Sequence, residues 1–232
     1  MKVAFLCLLS VLSGSFPAYA QSVDKNYLLG RFEPRDDLRF VKPSDHHTEG
    51  AARSQFLRRE TYEAFIQMAE AAQKDGVTLT IISSTRNFYQ QKGIWERKWD
   101  AESSISDEAE RARKILLYSS MPGTSRHHWG TDIDLNNLNN EYFESGEGLK
   151  IYSWLTSHAH EFGFCQPYTA KRDGRTGYEE EKWHWSFTPL ANEFLGLYKT
   201  MINVTDIKDF QGSQTAQRID VIRNYVEGVA CK

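Results

Sequence analysis

Three short strand patterns, separated by helical patterns of unequal length, most strongly limit the folds open to this chain. Strands are predicted at residues 77–82, 131–135 and 183–187, where apolar, β-branched or aromatic residues run together or alternate. The segments between them do not follow the regular strand–helix–strand alternation of a parallel sheet. We therefore predict an α+β fold in a single domain, with a small, mostly antiparallel sheet flanked by helices.

Apolar residues at helical spacing predict where the first helices lie. The pattern favours helices over residues 55–74, 107–118 and 148–162. Gly76 and Gly163 are placed to end the first and the third of these, since glycine readily adopts the left-handed conformation found after a helix. These helices would cover the sheet.

Further predictions concern the C-terminal half of the chain. Thr188 is a suitable N-cap and Pro189 a suitable first residue for a helix. A last amphipathic helix is predicted to include both Ile219 and Val226. His158 falls on the apolar stripe of its helix, so we predict a core histidine there.

The N-terminal region predicts export. Residues 1–20 contain a lysine near the start, a short apolar run and an Ala-Tyr-Ala end, which is the layout of a secretory signal. No later segment approaches the ~20 apolar residues that a membrane span needs, so we expect no stable membrane insertion. We expect the exported protein to be periplasmic. Residues 21–50 are polar and irregular and are interpreted as an N-terminal arm across the surface, and residues 51–232 as the domain with its C-terminal helices.

The composition indicates a globular protein and argues against a nucleic-acid binder. Hydrophobic residues make up 40% of the chain and aromatic residues 13%. The net charge is −3, and no concentrated basic face is visible, so no nucleic-acid partner is expected. Cys165 and Cys231 would meet an oxidising compartment after export, which favours a disulfide between them over two separate thiols.

The residues that suggest chemistry are histidines and carboxylates. His127 and Asp134 are separated by a glycine turn and can face one site from a loop and the strand after it. Both are good zinc ligands, and a catalytic zinc takes three protein ligands and leaves one position for water. His184 is the best third candidate, and Glu181, three residues before it, would accept the proton of that water.

The spacing leaves several assignments open. Asp132 lies two residues before Asp134 and would share its face of a strand, so either carboxylate can meet the metal. The same ambiguity applies to the two adjacent histidines that begin at His127. Glu181 and His184 would face opposite ways in an extended strand, so the glutamate must lie on a turn or bulge. The alternative to a metal site is a structural cluster of satisfied polar groups.

These motifs resemble those of a known family. Ser125-x-His127-x-x-Gly130-x-x-x-Asp134, followed by Glu181-x-x-His184, is similar to the two signatures of the VanY-type D-alanyl-D-alanine carboxypeptidases. That family lies within a wider group that includes lysostaphin-like peptidases and hedgehog signalling domains. The segment 83–86, with Gln91 beyond it, resembles the family's strand end, and the likeness covers residues 27–190.

The resemblance implies a role for each matching residue. His127, Asp134 and His184 would bind Zn²⁺, and Glu181 would activate the water. Arg86 would bind the substrate's terminal carboxylate, a role that also makes chemical sense because a guanidinium pairs with a carboxylate through two hydrogen bonds. The residues expected to support substrate binding are Ser125 and Gln91. Asp132 stands where the family usually has a small residue, and we interpret it as a partner that orients a histidine rather than as a ligand.

The resemblance also implies a function. We expect a monomeric zinc peptidase that trims D-alanine from peptidoglycan stem peptides. The alternatives are a dipeptidase, an L,D-carboxypeptidase or an endopeptidase of the same group, or a zinc-stabilised binding module without activity, as hedgehog domains illustrate. Retention of both Glu181 and Arg86 argues against the binding module.

Overall fold

A four-stranded antiparallel sheet forms the centre of the protein, for which a computed structural model describes residues 23–231. The predicted signal at residues 1–20 lies outside the described residues. The strands are β1 Phe40–Val41, β2 Leu57–Arg58, β3 Ile81–Ser83, β4 Asp132–Leu135, β5 Phe164–Cys165 and β6 His184–Phe187. The central sheet has the order β3-β4-β6-β5, and β1 and β2 form a separate antiparallel pair. The predicted α+β fold with a small antiparallel sheet is confirmed.

Helices cover the sheet and form a second core beside it. The helices are α1 Lys25–Leu28, α2 Arg59–Lys74, α3 Phe88–Ala101, α4 Glu108–Ile115, α5 Gly146–His158, α6 Thr188–Met201 and α7 Thr215–Ile219. The sheet, α2 and α5 share one hydrophobic core, which includes Phe65 and Ile133. A second core, which includes Trp95 and Phe194, lies between α1, α3, α4, α6 and α7. Every helix in the described part of the chain is too short or too polar to cross a membrane.

Helix α3 is absent from the sequence-based prediction. Its start is fixed by a capping box: the Asn87 side chain accepts from the Gln90 backbone N–H, and the Gln90 side chain accepts from the Asn87 backbone N–H, both at 2.9 Å. Polar residues separate its few buried positions, Phe88, Trp95 and Trp99 among them, so the apolar periodicity is weak. The asparagine–glutamine spacing was the available signal for this helix.

The N-terminal segment differs from the expected surface arm. Tyr27, Leu28 and Leu29 are buried in the second core. The Tyr27 hydroxyl donates to the Trp129 carbonyl oxygen at 2.7 Å, and the Trp129 indole donates to the Leu28 carbonyl oxygen at 3.1 Å. This segment therefore packs against the turn that carries His127, because its apolar residues gain more from burial than its polar composition suggested.

Three further predictions are wrong in the C-terminal half. Thr188 is the first residue of α6 rather than its N-cap, which is Phe187, and the Thr188 hydroxyl donates to the Gly163 carbonyl oxygen at 3.0 Å. The last amphipathic helix is broken, since α7 ends at Asp220 in a left-handed conformation (φ 52°) and a π-helical turn, Ile222–Val226, follows. His158 is not a core residue: its side chain is 43% exposed and lies 2.9 Å from the Glu161 carboxylate.

The predicted disulfide is confirmed between Cys165 and Cys231, whose Cα atoms lie 6.0 Å apart.

Candidate metal and catalytic site

A tight turn brings the first signature motif back onto the sheet. A 3-10 helix, Arg126–Trp129, ends at Gly130, whose φ of +75° suits glycine, and β4 begins two residues later. A Cβ at position 130 would clash with the Phe40 ring, so the close packing of β1 also requires glycine. The turn places His127 beside the strand that carries Asp134.

Strand register brings the second motif to the same place. Asp134 pairs directly with His184 across β4 and β6, and Asp132 pairs with Ser186. Side chains directly opposite each other on neighbouring strands lie about 5 Å apart at Cβ. The antiparallel pairing therefore joins two motifs that are about 50 residues apart in sequence.

His127, Asp134 and His184 form a buried group that can hold a metal ion. One ligand atom from each lies within 4.8 Å of the others. His127 Nε2 is 3.3 Å from Asp134 Oδ2, and His184 Nδ1 is 3.0 Å from Asp134 Oδ1. Two imidazoles and a carboxylate in this arrangement are a donor set suited to Zn²⁺, with space for water or substrate as a fourth ligand.

In each of the two histidines, the ring nitrogen that faces away from Asp134 has a hydrogen-bond partner. The other ring nitrogen is thereby left for a metal ion. His127 Nδ1 lies 2.7 Å from the Ser84 carbonyl oxygen, and His184 Nε2 lies 3.0 Å from Asp132 Oδ1. In the tautomers that donate these two hydrogen bonds, His127 Nε2 and His184 Nδ1 present lone pairs towards Asp134. Asp134 Oδ1 is buried and accepts no hydrogen bond from a described residue. Two nitrogen lone pairs and a carboxylate that face one another repel unless a cation lies between them, so this group is suited to bind one.

These contacts resolve the alternatives that the spacing left open. Asp132 is hydrogen-bonded to His184 Nε2, the ring nitrogen that faces away from Asp134. It also forms an ion pair with Arg126, whose Nε lies 3.0 Å from Asp132 Oδ1. His128 points away from the metal group, with Nδ1 2.6 Å from the Arg86 carbonyl oxygen and Nε2 accepting from the Gly123 N–H at 3.0 Å. Asp132 and His128 therefore contact residues around the group of His127, Asp134 and His184 and do not belong to it.

The electrostatics of this group follow from buried carboxylates. Burial acts to raise the pKa of Asp132, but the Arg126 guanidinium and His184 outweigh it and hold that pKa well below its usual range. Burial acts to lower the pKa of His184, but the carboxylates of Asp132, Asp134 and Glu181 raise it well above its ordinary value. Three carboxylates thus converge on one imidazole, which makes the site attractive to a cation.

Glu181 lies on a turn that precedes β6, as the sequence analysis required. The His184 backbone N–H donates to the Glu181 carbonyl oxygen at 3.3 Å, which closes the turn. Glu181 Oε2 lies 3.4 Å from His184 Nδ1, beside the metal ligands. Burial raises the pKa of Glu181, and the hydrogen bond and charge of His184 oppose that effect. The position suits a carboxylate that exchanges a proton with a group at the metal.

Arg86 follows β3 and is held in place on several sides. Its backbone N–H donates to the His127 carbonyl oxygen at 3.2 Å, its Nε donates to Gln91 Oε1 at 3.1 Å and its Nη1 donates to Ser83 Oγ. Gln91 is itself fixed by donation to the Ser120 carbonyl oxygen at 2.8 Å. Arg86 Nη1 lies 3.6 Å from Asp134 Oδ2, so the guanidinium borders the metal group.

One cavity of about 640 Å³ contains all seven residues that the sequence analysis singled out. They are Arg86, Gln91, Ser125, His127, Asp134, Glu181 and His184. Ser125 Oγ is buried and has no hydrogen-bond partner among residues 23–231, so its hydroxyl is available to a ligand. The cavity has the size of a small-ligand site. The individual roles assigned to these residues stay predictions.

Part of the cavity wall consists of residues that the sequence motifs do not include. Ile94 and Lys98 line it from α3, and Tyr118 and Asn140 line it from other segments. Spacing at i, i+3 and i+7 from Gln91 identifies the first two once α3 is known. Trp183 packs in the sheet core and also borders the cavity.

Comparison with known proteins identifies the family. The model of the VanY family, described as D-alanyl-D-alanine carboxypeptidase, matches residues 54–190, which include all seven of these residues. The chain belongs to the VanY family. A relative, the putative carboxypeptidase YodJ of Bacillus subtilis, is 30% identical over 166 residues, which are 70% of this chain and 57% of that protein. The chain spans about half the length of the curated relatives it matches (57%, 44% and 42%).

Solved structures show the same fold. The LdcB LD-carboxypeptidase aligns with a TM-score of 0.53 at 23% identity, over 75% of this chain and 81% of that chain. A mutant of the vancomycin resistance D,D-pentapeptidase VanY in complex with Zn(II) aligns with a TM-score of 0.50 at 23% identity, over 65% of this chain and 85% of that chain. At this identity the likeness establishes the VanY fold of the chain.

Proposed function

We propose that this protein is a zinc-dependent D-alanyl-D-alanine carboxypeptidase that trims peptidoglycan stem peptides. The observation that carries the proposal is the convergence of His127, Asp134 and His184 with Glu181 and Arg86 in one cavity. Family membership supports the reaction class, and the Zn(II) complex of the VanY D,D-pentapeptidase supports the choice of metal. The signal-like residues 1–20 and the Cys165–Cys231 disulfide support an exported, periplasmic protein, which we propose acts as a monomer.

The residues divide the chemistry between them. Zn²⁺ held by His127, Asp134 and His184 would polarise the scissile carbonyl and acidify a water molecule. Glu181 accepts a proton from the attacking water and returns it to the departing amine, so its carboxylate ends the reaction as it began. Asp132 holds the His184 ring in the orientation that presents Nδ1 to the metal.

The position of Arg86 supports removal of a terminal residue. Arg86 Nη1 lies 3.6 Å from the carboxylate of the ligand Asp134. A substrate carboxylate on this guanidinium must therefore lie close to the scissile carbonyl, as it does when only one amino acid separates the bond from the chain end. Gln91 fixes the guanidinium for this contact. The arrangement favours a carboxypeptidase over an endopeptidase.

Product analysis tests the proposal. Purified, zinc-loaded protein is incubated with a stem pentapeptide ending in D-alanyl-D-alanine, with the corresponding tetrapeptide and with the free dipeptide, and products are identified by mass spectrometry. We expect release of one D-alanine from the pentapeptide and loss of activity on chelation, with recovery when Zn²⁺ is returned. Cleavage confined to the tetrapeptide would indicate an L,D-carboxypeptidase, cleavage of the dipeptide a dipeptidase, and no cleavage a binding module.

A single substitution tests the assignment of Glu181. Glu181→Gln should lower kcat by at least a factor of about 10² while the protein still binds one zinc ion, because only the proton acceptor is lost. Glu180→Gln is the matched control, since this neighbour does not line the cavity. Zinc content is measured by metal analysis alongside kcat. Activity of Glu181→Gln at the level of the control would remove Glu181 from the mechanism.

A further inference from the structure

The cavity contains a second cation that the proposed reaction does not use. Lys98 lies on the face of α3 that also carries Gln91 and Ile94, and all three line the cavity. Its Nζ donates to Ser119 Oγ at 2.6 Å. Among the described side chains, Lys98 has Ser119 as its hydrogen-bond partner and no carboxylate as an ion-pair partner.

Lys98 lies close enough to the catalytic groups to act on the same substrate. Burial lowers the pKa of Lys98, the Glu181 carboxylate opposes this effect and the Arg86 guanidinium adds to it. The pKa of Lys98 therefore depends on both of these charges. The charged residues that line the cavity are the cations Arg86 and Lys98 and the anions Asp134, Glu141 and Glu181. Asp134 and Glu181 border the metal group, and none of the three carboxylates forms an ion pair with Lys98, so the charge of the lysine can pair with a ligand.

The rise along α3 gives a scale for the distance between the two cations, because Arg86 is hydrogen-bonded to Gln91 on this helix. Lys98 follows Gln91, the residue that fixes Arg86, by two helical turns, or about 10 Å along the helix axis. An extended peptide advances about 3.3–3.6 Å per residue. A carboxylate carried by a residue two or three positions from the chain end can therefore reach Lys98 while the terminal carboxylate contacts Arg86.

We propose that Lys98 binds a second carboxylate of the substrate, one carried by a residue near the cleaved end, and so selects acidic stem peptides. This inference rests on the proposed peptidase function. The substrate class is a peptide with a free carboxylate on its diamino acid or on its γ-linked glutamate, in addition to the carboxylate at its C-terminus. The contact forms with the substrate before reaction and remains in the transition state, so it contributes to KM rather than to kcat.

Matched peptides test the inference. Pentapeptides are compared that differ only in whether the carboxylate of the diamino acid, or that of the γ-linked glutamate, is free or amidated. For the unaltered protein we expect amidation at one of these positions to lower kcat/KM about fivefold through KM, the upper range for an exposed ion pair. Lys98→Met should remove this preference, and Lys98→Arg should keep it.

The controls separate this inference from the proposed function. Lys92→Met removes another lysine of α3, one that does not line the cavity, and should leave the preference unchanged. If the unaltered protein cleaves free and amidated peptides with equal kcat/KM, the inference is wrong and the peptidase function stands. An equal loss by Lys98→Met on every peptide would also overturn it. Failure of the unaltered protein to cleave any peptide would instead reject the proposed function.

Discussion

Replacing Asp132 by asparagine tests how the protein supports its metal group. The Asp132 carboxylate is fully buried and has four partners. Its Oδ1 lies 3.0 Å from both Arg126 Nε and His184 Nε2, and its Oδ2 accepts from Thr131 Oγ1 at 2.6 Å and Ser186 Oγ at 3.1 Å. Asp132→Asn keeps the shape but removes the charge and puts donors where an acceptor is needed.

The expected loss of stability follows from the ion pair. Arg126 is 1% exposed, and Asp132 is its ion-pair partner among the described residues. Breaking a buried pair by removing one charge costs about 3–5 kcal/mol because the other charge is left uncompensated. In a protein of this size, that corresponds to a fall in Tm of roughly 10 °C. Zinc affinity should fall about 10- to 100-fold, as is typical when the hydrogen-bond partner of a ligand histidine is altered.

A second variant separates the two effects of this substitution. The combination of Arg126→Met and Asp132→Asn removes the stranded guanidinium, so stability should recover in part, whereas zinc affinity should stay low because His184 still lacks its carboxylate. Thermal unfolding of the metal-free protein and zinc competition with a chelating indicator measure the two quantities. Asp45→Asn, at an exposed position, is the control. The reasoning is refuted if Asp132→Asn matches this control in both Tm and zinc affinity.

Three further predictions concern the scaffold and the substrate contact. Gly130→Ala should lower the free energy of unfolding by about 1–3 kcal/mol, because a side chain at φ +75° is strained and meets the Phe40 ring. Denaturant unfolding measures this change, and an unchanged midpoint of the unfolding transition would contradict it. Replacing Cys165 and Cys231 by serine should cost about 4 kcal/mol on the chain-entropy model for a sequence separation of 66, and unaltered thermal unfolding would count against it. Gln91→Leu should raise KM about tenfold with little change in kcat, because Arg86 loses the acceptor that orients it; steady-state kinetics with an unchanged KM would argue against that role.

The fold was predictable where local patterns were strong. Helix α2 carries a clear apolar stripe and ends before Gly76, and the prediction over residues 55–74 overlaps its whole length. Helix α3 was missed because tryptophan packing against distant segments, rather than a continuous apolar stripe, stabilises it: Trp95 and Trp99 stack near Phe210. The segment that includes Tyr27 was interpreted as a surface arm for a related reason, since its burial depends on Trp129.

The residue types of the site and their local spacing can be read from the amino-acid sequence alone. The strand period placed Asp132 and Asp134 on one face, and the Glu181–His184 spacing required a turn. Which of these residues face the metal group depends on the folded arrangement of the strands. The register between β4 and β6 sets Asp134 opposite His184, and the buried Arg126 draws Asp132 away from the metal. Contacts between strands, and the charges buried beside them, arise from chain segments far apart in sequence, so local pattern cannot specify them.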